Sequence, residues 1–169
     1  NVDVRNFEEV RDALASVGRV DGVIMSAGIM AVGGVEQLNQ EAIEEMLDVN
    51  VKGYINVLRN SLPILRESSG VFLGIASSVH RFGRANQSVY SATKAAIVNL
   101  TLATARDPEN KNTRINLLSP SRTATELRSQ AFPGETAENL LDVDNVAREA
   151  IIAVASEGTG RIYEIRPHA

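Results

Sequence analysis

IASSVHRFGRANQSVYSATKAAIVNL, residues 75–100, decides how the chain is read. The apolar run GVFLGIAS enters it, and a helical pattern that starts near Val89 leaves it. The run is short, bounded by glycine and suited to a fully buried strand. Serines, a histidine, two arginines and one tyrosine lie between the two. A strand that runs through a polar loop into a helix is the unit from which α/β sheets are built, and ligands of such sheets bind at the carboxyl ends of the strands. The loop is therefore either an exposed turn or the wall of a ligand crevice.

The same alternation extends in both directions. RVDGVIMSAG carries Val23, Ile24 and Met25 between turn residues and predicts a buried strand; TRINLLS predicts another, and GRIYEI the last. Helices are predicted from about Phe7 to Val17 and from Val89 to about Thr104. A longer one starts at the N-cap Asn39 and repeats Ile43, Met46, Leu47, Val51, Ile55 and Leu58 near helical period. DVDNVAREAIIAVASE is a further helix, opened by an acidic cluster. Strands that alternate with helices of this length require crossover connections. The predicted fold is a doubly wound, Rossmann-like parallel sheet with helices on both faces.

No repeat, linker or low-complexity run divides residues 1–169, so a single domain is expected. NVDVRN reads as the tail of an earlier strand, and without that strand VIMSAG has an open flank, a liability for aggregation. The expectation is an N-terminally truncated domain.

Composition excludes several classes. The 169 residues suffice for one core, and 44% hydrophobic with 22% charged residues is ordinary for a globular protein. A net charge of −4 gives no reason to expect nucleic acid or an anionic membrane as partner. The absence of cysteine removes disulfides and thiolate metal sites. No apolar run approaches the ~20 residues of a membrane span, so a cytoplasmic protein is expected. His80 and His168 are too far apart to predict a metal site, and none is expected.

Tyr90 and Lys94 are four residues apart on a predicted helix and so share a face. An ammonium beside a phenol favours the phenolate and is expected to lower its pKa. Such a tyrosine can hand a proton to a carbonyl oxygen as hydride arrives at the carbon. Ser77 ends a predicted strand thirteen residues before Tyr90, on the crevice side, and Asn50 sits in the middle of the long helix, where an Asn is a mildly poor helix former and is often just solvated.

This order of Asn50, Ser77, Tyr90 and Lys94 resembles the short-chain dehydrogenase/reductase family, whose tyrosine and lysine form Y-x-x-x-K. MSAG (25–28) stands where that family has N-N-A-G, with Ser26 for the second Asn. NLLSPSRTAT (116–125) stands for N-x-x-x-P-G-x-x-x-T, with Ser121 for Gly. The resemblance implies an NAD(P)-dependent oxidoreductase. Tyr90 would be its acid/base, Ser77 (with Ser78 as the rival) would hold the carbonyl, Lys94 would tune the tyrosine and hold a ribose, and Asn50 would hold a relay water. It implies NADP as cofactor, with NAD possible, bound through Asp3, Val4, Ala27, Gly28, Tyr90, Lys94, Pro120, Ser121, Thr123 and Thr125. It also implies a homodimer or tetramer. The family's glycine-rich loop and first two strands would precede Asn1, and neither Gly33–Gly34 nor GTGR (158–161) replaces that loop.

Arg81, Arg84, Arg122 and Arg128 fall in the two loops that border the substrate in that family. Arginine grips phosphate through paired donors, so the four imply a small phosphorylated substrate. Arginine also outnumbers lysine fourteen to three, so chance places some in loops. The P-x-R-T-x-T-x-x-R stretch of Pro120, Arg122, Thr123, Thr125 and Arg128, followed by Phe132, Leu140 and Leu141, is similar to the reductase modules of bifunctional bacterial proteins. Those carry a fused cytidylyltransferase and reduce ribulose 5-phosphate to ribitol 5-phosphate for CDP-ribitol and capsule synthesis. A reductase of some other carbonyl, and a module kept only for assembly, are the alternatives.

Overall fold

The computed structural model describes residues 2–136, 138 and 140–166. His168 lies outside them. The elements run α1 (Phe7–Val17), β1 (Gly22–Met25), α2 (Gln40–Leu47), α3 (Tyr54–Ser68), β2 (Val71–Ile75), α4 (Ser88–Thr104), β3 (Arg114–Pro120), α5 (Glu126–Ala131), α6 (Val143–Ala155) and β4 (Ile162–Ile165). The four strands form one parallel sheet in the order β1-β2-β3-β4. Among the described residues no helix is long and apolar enough to cross a membrane.

Strand alternation assigns each side chain to a face. From β2 and β3, Phe72 and Ile115 join Tyr54, Leu58 and Leu65 of α3 and Ile97 of α4. Leu73 and Leu118 point to the other face and pack on Ala150 and Ala153 of α6. Phe72, Leu73, Ile115 and Leu118 are fully enclosed, and each such burial contributes about 1.5–3 kcal/mol. Their neighbour Asn116 is just as buried and holds the turn before β4, donating to Gly158 O and accepting from Arg161 N, both at 3.0 Å. Gly74 leaves room on β2 for the Tyr54 ring, whose hydroxyl meets Thr101 Oγ1 at 2.7 Å.

β1 is less buried than predicted, with Ile24 45% exposed. It pairs with β2 alone among the described residues, so one flank faces outward. The long helix predicted from Asn39 is real but not uniform. It widens into π-type turns over Asp48–Gly53 between α2 and α3. α5, only six residues long, had no counterpart in the sequence reading.

Candidate active site

The strands β1, β2 and β3 release the chain on one side of the sheet, and a cavity of about 330 Å³ opens there. Ser26 and Gly28 line it after β1, Ser77 and Ser78 after β2, and Ser121, Arg122 and Thr123 after β3. Tyr90 and Lys94 reach it from the first turns of α4. The spacing of four residues does put both on the cavity wall.

Lys94 is 5% exposed and its Nζ donates to Ile75 O at 3.0 Å. Burial lowers its pKa to about 8. Its ammonium stands 5.8 Å from the centroid of the Tyr90 ring. Burial also raises the Tyr90 phenol above its ordinary value, against the downward pull of the Ser77 hydroxyl and of the Arg128 charge. The expected lowering by Lys94 is thus not what this pocket produces. Dehydration of the phenol dominates, while the ammonium is anchored to a carbonyl and is itself penalised by burial. Ser77, in extended backbone, is the serine that acts on the phenol; Ser78 opens a short 3₁₀ turn, Ser78–His80.

Asn50 is 2% exposed and faces inward from the π-type turns. Its Oδ1 accepts from Ile29 N at 2.8 Å, and its Nδ2 donates to Ile29 O at 2.9 Å and Thr93 Oγ1 at 3.2 Å. Both Nδ2 hydrogens are therefore used inside the protein. Asn50 stands behind the cavity wall, and the gap to it is Gly28. A β-carbon there would lie 3.3 Å from Asn50 Oδ1 and 3.5 Å from Lys94 Nζ.

After β3 the chain is clasped to the residues before α6. Leu141 N donates to Arg122 O at 2.7 Å, and Ala124 N to Leu141 O at 2.9 Å. Thr125 caps α5 by accepting from Arg128 N at 3.2 Å, and it also lines the cavity. Two residues of the cavity wall, Arg84 and Ser121, each carry a buried polar atom, Nε and Oγ, without a hydrogen-bond partner. An unpaired buried polar atom is costly.

Some expected site residues lie elsewhere. Arg81 does not line the cavity; its Nη2 pairs with Glu164 Oε1 at 2.6 Å. Asp3, which is exposed, is gripped by Arg5 at 2.7–3.0 Å, and that bonding lowers its carboxyl to about 2. The Val4 carbonyl is held by Asn56 Nδ2 at 3.0 Å, and its side chain packs on Gly53. Ala27, between two wall residues, is not itself on the wall. His80 backs the site, its Nδ1 2.7 Å from Ser77 O and 3.3 Å from Ser119 Oγ. Among the described residues no cluster of metal-ligating side chains occurs.

The sequence reading missed Glu135. Its Oε2 accepts from Arg128 Nε at 2.6 Å, and its Oε1 accepts from Arg128 Nη2 at 2.8 Å and Arg122 Nη1 at 3.2 Å. An isolated acid in FPGET carries no periodic signal; only its nearness to two arginines in the chain hinted at it.

Comparison with known proteins finds relatives over most of the chain. The profile of the family described as short chain dehydrogenase matches residues 1–136. The chain is 33% identical over 168 residues to the bifunctional ribulose 5-phosphate reductase/CDP-ribitol pyrophosphorylase of Haemophilus influenzae, covering 97% of this chain and 35% of that one. The chain thus spans about a third of that relative's length. An oxidoreductase of Staphylococcus saprophyticus is 30% identical, with 97% and 71% covered. A 3-oxoacyl-[acyl-carrier-protein] reductase of Staphylococcus aureus is 26% identical, with 82% and 56% covered. Among solved structures, the alcohol dehydrogenase of the archaeon Thermococcus sibiricus complexed with 5-hydroxy-NADP superposes with a TM-score of 0.86 at 26% identity, covering 98% of this chain and 72% of that one.

Proposed function

The chain belongs to the short-chain dehydrogenase family of NAD(P)-dependent oxidoreductases, and on that premise we propose that its cavity reduces the carbonyl of a small phosphorylated sugar, ribulose 5-phosphate to ribitol 5-phosphate. The observation that carries the reading is the joint presence of Tyr90, Lys94 and the guanidiniums of Arg84, Arg122 and Arg128 on one cavity. The relative from Haemophilus influenzae, with the same pairing of activities in its name, supports the choice of sugar.

The residues present fit a nicotinamide dinucleotide, NADP in this reading. Gly28 leaves a gap beside Lys94, and the Ser121 hydroxyl has no partner inside the protein. Gly28, Tyr90, Lys94, Pro120, Ser121, Thr123 and Thr125 would hold the group, which when bound supplies the hydride. In this reading Tyr90 gives its phenolic proton to the carbonyl oxygen, and Ser77 hydrogen-bonds the same oxygen. Burial keeps the phenol protonated near neutral pH, the form that reduction consumes. The Lys94 ammonium then stands ready to stabilise the phenolate left behind. Asn50 holds the Ile29 backbone, and so the wall after β1, in position.

The phosphate would lie against Arg84, Arg122 and Arg128, which line the same cavity. Arg81, engaged by Glu164, takes no part. The same reading includes a fused cytidylyltransferase that turns the product into CDP-ribitol for a capsule, and self-assembly as a homodimer or tetramer. Resemblance to the acyl-carrier-protein reductase supports a second reading, reduction of an uncharged carbonyl.

The test is NADPH oxidation by the full-length protein with ribulose 5-phosphate, with Tyr90→Phe as control. Turnover that disappears in the control supports the proposal. Turnover only on an uncharged carbonyl sinks the phosphate assignment. Bound NADPH with no turnover on any carbonyl leaves a module of assembly.

A further inference from the structure

Two of the three arginines on the cavity are held from behind. Arg128 is the more buried, its side chain 14% exposed, and its guanidinium carbon stacks 3.7 Å from the centroid of the Phe132 ring. Glu135 takes its Nε and Nη2 edge and reaches Arg122 with the same carboxylate. Glu135 does not line the catalytic cavity. It faces the adjoining one, of about 350 Å³, together with Phe132, Gly134 and Leu140. A guanidinium has five N–H donors, and Glu135 uses two of those on Arg128 and one on Arg122. The Nη1 edge of Arg128 is taken by no bond among the described residues and is left for a ligand.

We propose that Glu135 is a positioning residue for substrate phosphate: it fixes Arg128 and Arg122 from the far side so that their remaining donors meet the phosphate already oriented. The inference rests on the phosphorylated-sugar reading above. Arginine has a long, rotamer-rich side chain, and a site that must order two of them at binding loses affinity. Face and edge are both fixed here, by Phe132 and Glu135, which leaves Arg128 one orientation. The arginines in turn keep the Glu135 carboxyl below its ordinary value, so it stays ionised wherever the phosphate is a dianion. A competing role, in which Glu135 occupies the phosphate position and must be displaced, predicts the opposite sign: its removal would tighten binding.

The test measures kcat and KM of the full-length protein for ribulose 5-phosphate and for unphosphorylated ribulose, in the wild type and in Glu135→Ala, Glu135→Gln and Glu135→Asp. Expected is a rise of about tenfold in KM for the phosphorylated sugar in the Ala variant, the cost of ordering two long side chains. The isosteric Gln variant should show the same direction should Ala disturb the loop, and Asp should restore part of the loss. The KM for unphosphorylated ribulose, which brings no phosphate to the arginines, should change less than that for the phosphorylated sugar in every variant. An unchanged or lowered KM for ribulose 5-phosphate in the variants, with a wild type that prefers it, overturns the role of Glu135 and leaves the substrate standing. A wild type that turns over both sugars with equal KM overturns the phosphate reading, and this inference with it.

Discussion

Tyr54 lies across Gly74 so closely that a β-carbon at the glycine would overlap the phenolic oxygen. The ring is 2% exposed and meets Phe72 edge-on at 5.7 Å. Its hydroxyl is committed to Thr101, which is itself fully buried. Gly74→Ala therefore forces the ring out of a packed position in the central sheet. We expect a loss of about 1–3 kcal/mol, read from the urea midpoint. Adding Tyr54→Phe should return part of it by removing the oxygen that clashes.

Lys94 predicts an unusual pH dependence. Its folded pKa of about 8 lies below the ordinary 10.5, so between those values the unfolded chain binds more protons than the folded one. Stability of the ligand-free protein therefore rises with pH through that window. Below pH 8 the cost of the buried ammonium is fully present. Lys94→Met should be more stable than wild type at pH 7, by an amount on the order of a few kcal/mol, and the gap should narrow toward pH 10. Tyr90, raised by burial, opposes the rise above pH 10 in both proteins. Denaturant melts at several pH values check the slope.

Asn50→Ala leaves the amide and carbonyl of Ile29 without their partner. Thr93 keeps its bond to Tyr90 O, so the damage is local to the wall after β1. A cost of about 2–4 kcal/mol follows from two orphaned backbone groups. Hydrogen exchange at the Ile29 amide should accelerate well beyond what global destabilisation explains.

Ser121→Ala removes a buried hydroxyl that has no partner in the ligand-free protein. Stability should hold or rise by up to about 1 kcal/mol. KM for NADPH, by contrast, should rise several-fold, because the lost donor is one a bound ligand would use. A loss of stability without a change in KM would remove Ser121 from the binding wall.

The order of strands and helices was legible because each carries its own period: the Ile43 to Leu58 run for the long helix, GVFLGIAS for β2. The meeting of Ser77, Tyr90 and Lys94 was legible too, since strand ends and helix starts share one side of a parallel sheet. What was not legible depends on distant neighbours. Ile24 reads as buried from its own apolar run, and its exposure depends on what packs over β1, although the open flank of that strand was itself predicted. α5 is too short for periodicity to register, and the π-type turns that aim Asn50 inward have no local signature. The direction of the Tyr90 shift depended on whether charge or dehydration wins, and that balance is a property of the pocket. Arg81 and Arg128 looked alike as loop arginines; Glu164 and Glu135 gave them different fates.

The clasp of Leu141 to Arg122 and Ala124 ties off one excursion of the chain. Arg128, Phe132 and Glu135 lie within that excursion, while Ser77, Tyr90 and Lys94 hang on elements outside it. The entropy of closing such an excursion grows only slowly with its length. Changes of length beyond Thr125 therefore cost the fold little, while Arg128 still couples that stretch to the Tyr90 phenol.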